Sequence, residues 1–69
     1  MLYFPNAILI NEDGKKEPIS TYEGFLTKPE AIRQFTIWTE HYNFNLERCW
    51  IEQYDGENLV ASEPYAINL

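Results

Sequence analysis

The chain lacks most of the residues from which catalytic and metal sites are built. Of its 69 residues one is cysteine and one is histidine. A lone thiol cannot close an intramolecular disulfide, and with a lone imidazole it falls short of the usual ligand set of a structural zinc site. The missing disulfide framework points to a reducing compartment, so a cytoplasmic protein is expected. Basic residues are also scarce: five Lys and Arg against eleven Asp and Glu leave a formal charge of -6. Nucleic acid backbones and anionic membranes are held by clustered Lys and Arg, so neither is expected as a direct partner, and a charged partner should be basic. No apolar run approaches the ~20 residues that cross a bilayer, and "MLYFPNAILI" shows neither the basic region nor the cleavage site of a secretory leader. P-loop, G-x-G-x-x-G, G-x-S-x-G and H-E-x-x-H patterns are all absent, and no cofactor is expected.

What the chain does have is aromatic bulk. Two Trp, five Tyr and four Phe make up 16% of the residues. A chain this short buries only about 60% of the surface that its unfolded form exposes, and large rings supply burial that length does not. One domain over residues 1–69 is expected.

Two Asp-Gly dipeptides divide the pattern. Asp13-Gly14 lies between "NAILI" and "EPIST", and a tight turn there predicts strands near 7–11 and 17–21. A two-residue loop would set Ile8 opposite Ile19, with Ile10 on the same face. Asp55-Gly56 centres a second hairpin in "RCWIEQYDGENLVASE". A two-residue loop there pairs Ile51 with Val60 and Cys49 with Ser62 on one face, and Trp50 with Ala61 and Arg48 with Glu63 on the other.

Between the hairpins, "TKPEAIRQFTIWTEHYN" reads as a helix. Thr27 and Glu30 form a capping box, Pro29 is tolerated in the first turn, and Leu26 can meet Ala31 as a hydrophobic staple. Ala31, Ile32, Phe35, Trp38 and Tyr42 recur at three- and four-residue steps as a core-facing stripe. Asn43 is expected as the C-terminal cap, with Phe44 folding back. Pro18 and Pro64 cannot donate to a ladder and mark edge strands. The fold predicted is α+β: ββαββ, one helix on a four-stranded antiparallel sheet of order 2-1-3-4, the helix crossing right-handedly over the first strand.

The stretch "WTEHYNFNLERCW" brings His41 and Cys49 close in sequence, the residue types of a nucleophile and its base. The helical wheel puts His41 opposite the stripe, and alternation puts Cys49 beneath the helix with Ile51, about a helix diameter (~10 Å) apart. A dyad needs about 3 Å. The expectation is a buried Cys49 and a solvated His41. Glu52 and Glu63 would share the uncovered sheet face, where a pair of carboxylates can do acid/base work, although Arg48 is the better partner for Glu63. "NEDGKKE" has the oxygens of a calcium loop but not the ligand spacing.

Two surfaces remain as candidates. The outer sheet face would carry Trp50, Tyr54, Ala61 and Leu59 with Glu52 and Glu63, unless terminal segments "MLYFP" or "PYAINL" cover it. RNA-recognition domains stack bases on such a face, but within basic surroundings that this chain lacks. The second hairpin, with Glu47, Glu52, Asp55, Glu57 and Glu63, could imitate a nucleic acid backbone. The expectation is a non-enzymatic protein-binding module, or a small accessory or inhibitory protein of the kind found in phages and mobile elements, acting on a protein partner or a second copy. Its alternatives are an acidic nucleic-acid mimic that blocks a DNA- or RNA-handling protein, and a small enzyme using surface carboxylates.

Overall fold

A computed structural model describes residues 1–42 and 45–66. The elements run β1 (Leu2–Ile10), β2 (Lys16–Ser20), α1 (Lys28–Tyr42), β3 (Asn45–Asp55) and β4 (Asn58–Tyr65). The strands form one antiparallel sheet of order β2-β1-β3-β4, with the helix packed on β1 and β3, as the sequence predicts.

The helix begins where its capping box places it. Glu30 N–H points at Thr27 Oγ1 at 3.4 Å, and the Thr27 hydroxyl donates to Glu30 Oε1 at 2.7 Å. The staple does not form, because Leu26 is 77% exposed. Ala31, Phe35 and Trp38 are buried, and Ile32 packs at their margin. Ala7, Leu9, Cys49 and Ile51 complete the core from the sheet. Phe35 lies at its centre, stacked on Tyr65 at 5.3 Å and tilted against Trp38 at 5.9 Å. The expected cap at Asn43 and the turn at Phe44 lie outside the described residues.

The first strand is longer than the pattern suggests, because it runs through a proline. Pro5 is fully buried opposite Ile51 in a central strand. Tyr3 exchanges both backbone hydrogen bonds with Phe25, at 2.8 Å each. Backbone groups two residues apart face the same side, so the missing N–H of Pro5 faces the place where β2 has already ended at Ser20. No ladder bond is lost there.

Both hairpins depart from the expected register. In the first, Asn11 N–H donates to Lys15 O and Gly14 N–H to Asn11 O, closing a three-residue loop, Glu12 to Gly14, with Gly14 at φ 79°. Asn11 Oδ1 accepts from the N–H groups of Asp13 and Lys15, both at 3.0 Å, which favours this turn over a two-residue one. One extra loop residue sets Ala7, not Ile8, opposite Ile19. Ile8 and Ile10 therefore face away from the helix, because a one-residue slip exchanges the faces.

In the second hairpin the loop is Gly56-Glu57, with Gly56 at φ 63°, and Asp55 faces Asn58. Val60 is an extra residue, because Tyr54 pairs with Leu59 and Gln53 with Ala61. Beyond this bulge Ile51 faces Glu63, not Val60, and Cys49 faces Tyr65, not Ser62. Trp50 faces Pro64, and Ser62 faces Glu52. A further bulge at Glu47 lets Leu46 rejoin Leu9 on the core side.

Candidate functional site

The bulge at Val60 sorts the sequence-predicted site residues onto opposite faces. Trp50, Glu52 and Tyr54 alternate along β3 and stay on the outer face. Ala61 and Glu63 sit beside Gln53 and Ile51, on the face that the helix covers. Glu63 forms an ion pair with Lys28 in the first turn of the helix, so its match with Arg48 is not made. Glu52 and Glu63 point from opposite sides of the sheet and do not form a carboxylate pair.

Leu59 also stays on the outer face, beside Tyr54, and the three β3 residues there are joined. Trp50 Nε1 donates to Glu52 Oε2 at 3.0 Å, and the Tyr54 hydroxyl donates to Glu52 Oε1 at 3.3 Å. The Arg48 guanidinium lies 5.4 Å from the centre of the Trp50 ring, within cation–π range. The Glu52 carboxylate raises the pKa of Tyr54 above its ordinary value, because a phenolate beside it would be a second negative charge; desolvation and the hydrogen bond to Glu52 act in the same direction.

Phe4 belongs to this cluster although the sequence pattern did not place it there. It sits opposite Glu52, and its ring meets Tyr54 edge-on with centroids 5.3 Å apart. Alternation does run back from Ile8 through Asn6 to Phe4, but it points to the outer face only once the three-residue loop has set Ala7 opposite Ile19. A hollow of about 220 Å³ lies between these rings and Asn6, Ser20, Thr21 and Gly56. Ile8 and Ile10 extend the apolar surface along β1, and Pro18 and Pro64 border it on the outer strands.

Of the terminal segments, Phe4 and Pro64 lie on this face themselves, and residues 67–69 lie outside the described residues. Residues 2–5 are part of β1, and Tyr65 packs on the helix side against Phe35. Met1 is 64% exposed.

Comparison brings no relative to interpret the site. No protein family, curated protein or solved structure matches the chain.

A second hollow, of about 470 Å³, opens on the helix side beside Cys49, Thr39, Leu46 and Tyr65. Cys49 itself is 5% exposed, and burial raises its thiol pKa. A nucleophilic thiol needs the opposite shift. His41 is exposed on the last turn of the helix.

The acids of the second hairpin do not form one row. Glu47 pairs with Lys16 at 2.8 Å, Glu63 pairs with Lys28, Glu52 serves Trp50 and Tyr54, and Asp55 and Glu57 lie at the turn. Among the described residues no group of His, Cys, Asp and Glu is arranged to hold a metal ion, and no helix is long and apolar enough to cross a membrane.

Proposed function

We propose that the protein is a non-enzymatic protein-binding module and that its binding surface is the outer face of the sheet. One observation carries this reading: Phe4, Trp50 and Tyr54, with Ile8 and Ile10, are grouped on the side of the sheet away from its only described helix. Apolar area left in water forgoes roughly 25 cal/mol per Å² of burial, and contiguous patches of this kind mark interaction surfaces. The aromatic donors within the patch already have partners. Trp50 N–H and Tyr54 O–H are satisfied by Glu52, so a partner can cover the rings without leaving either donor unpaired. Tryptophan, tyrosine and arginine are also the side chains that dominate binding energy at interfaces.

We propose a cytoplasmic location, a reducing compartment in which the buried thiol of Cys49 stays free. Tagged wild-type and Trp50→Ala chains, expressed at equal levels and purified under the same conditions, test the function. The expected result is a protein bound in stoichiometric amount to the wild type and lost from the variant. An identical set of bound proteins on both chains, with no self-association of either, refutes the assignment of the surface.

A further inference from the structure

We propose that the outer face is the interface of a symmetric homodimer, in which two sheets pack face to face with strands antiparallel and Arg48 of each copy meets Glu52 of the other. This rests on the reading of the outer face as a protein-binding surface and names its occupant as a second copy of this chain.

The pattern along β3 is self-complementary. Arg48, Trp50 and Glu52 share one face at steps of two residues, so the two charges stand about 7 Å on either side of Trp50. A two-fold axis lying in the interface, across the strands at Trp50, exchanges position 48 with position 52. It therefore sets plus over minus twice and indole beside indole, which is what an isologous contact requires.

The charges agree with this occupant. Within the chain Glu52 has hydrogen bonds from two aromatic donors but, among the described residues, no cation within ion-pair distance. A carboxylate covered by a partner in that condition would be buried without a counter-charge, which is costly. Arg48 of the second copy supplies the counter-charge, and it is an exposed side chain already on the correct face. The remaining charges of the face, Lys16 and Glu47, neutralise each other at 2.8 Å. The face is thus balanced in a chain of formal charge -6, so it offers no excess of acid to a basic partner and little repulsion to its own copy.

The shape allows it: the molecule measures 37 × 19 × 19 Å, and a second copy can align along the whole length of β3. Sheets stacked in this way stand about 10 Å apart, a space that interdigitated Trp50, Phe4 and Ile8 side chains can fill.

Charge exchange tests the arrangement. Sedimentation velocity over a concentration series should show the wild type as a dimer. Arg48→Glu alone and Glu52→Lys alone should each raise the dissociation constant at least about tenfold, since each places like charges opposite one another twice. An equimolar mixture of the two variants should recover the dimer, because both contacts are then complementary. Arg48 is exposed, so Arg48→Glu tests the contact even if Glu52→Lys fails to fold. Dimerisation of Arg48→Glu equal to that of the wild type would overturn the proposal, as would a mixture no tighter than its components. A wild-type chain that stays monomeric, while Trp50→Ala still abolishes capture of a different protein, would overturn the second copy and leave the binding surface standing. A monomer for which Trp50→Ala changes nothing would overturn both.

Discussion

Trp50 and Glu52, two residues apart on β3, are joined through the indole N–H at 3.0 Å. The contact satisfies the one polar atom of the tryptophan from within its own strand. Glu52 also accepts from Tyr54, so one carboxylate fixes both outer-face donors. The rings of this surface have their hydrogen bonds already made, and what Glu52 lacks among the described residues is a counter-charge.

The first prediction concerns Tyr54. Its pKa lies above the ordinary value of 10.0, chiefly through the charge of Glu52. Glu52→Gln removes that charge, and a spectrophotometric titration should show the Tyr54 transition at lower pH than in the wild type. A raised folded-state pKa means that Tyr54 contributes its stability below the ordinary value and loses it as pH rises through the folded value. The wild type should therefore lose stability in the alkaline range above about pH 10 more steeply than Glu52→Gln. An unchanged Tyr54 transition would place Glu52 elsewhere.

Cys49 yields the second. Packed beneath the helix at 5% exposure, it should react slowly with a thiol reagent in the native protein and quickly once denatured. Its raised pKa delays thiolate formation beyond the ordinary value of 9.0, so native labelling should remain slow up to that pH. The stability contributed by this shift is present below 9.0 and is lost as pH rises through the folded value. Cys49→Ala should cost on the order of 1 kcal/mol through lost apolar contact, and Cys49→Asp far more, because it buries a charge. Immediate labelling of native protein would contradict the register of β3.

The centre of the core gives the largest expected loss. Phe35 is 1% exposed and touches both Trp38 and Tyr65, so Phe35→Ala should lower the unfolding free energy by about 3–5 kcal/mol in urea titration. For a domain of this size that is enough to leave much of the population unfolded. A loss below 1 kcal/mol would mean that the helix does not dock as described.

A fourth prediction probes the loop that follows β2. A Cβ at Gly24 would stand 2.7 Å from Leu2 Cβ and 2.8 Å from the Phe4 ring. Gly24→Ala should therefore push the loop off the start of β1 and cost about 1–3 kcal/mol. Hydrogen exchange should show the amides of Tyr3 and Phe25, which bond to each other's carbonyls, losing protection first. Wild-type protection at both amides in the variant would refute the contact.

The order of elements was legible because each carries a local signal. The capping box at Thr27 and Glu30, the stripe through Phe35 and the edge prolines Pro18 and Pro64 all act within a few residues of themselves. Register was not, because it depends on single residues whose role is decided by hydrogen bonds. Asn11 stabilises a three-residue loop through its own side chain, and this turns Ile8 and Ile10 to the outer face. Val60 bulges, and this moves Ala61 and Glu63 to the helix side of the sheet. Pro5 broke the visible alternation although its missing donor falls in a gap of the sheet, and Phe4 was overlooked because its face depends on the three-residue loop. Trp50, Glu52 and Tyr54 share the face that alternation predicts, because β3 pairs regularly with β1 over this stretch and the extra residue of the bulge lies on β4.

The central claim is that Trp50 serves an interface and not the core. The direct measurement is a pair of curves on wild type and Trp50→Ala: unfolding free energy by urea, and association by sedimentation or partner capture. The account predicts a stability loss no greater than about 1 kcal/mol, since the side chain is half-buried on the face away from the helix, together with loss of association. A loss of about 3 kcal/mol or more in a chain whose association is unaltered would assign Trp50 to the core and contradict the claim.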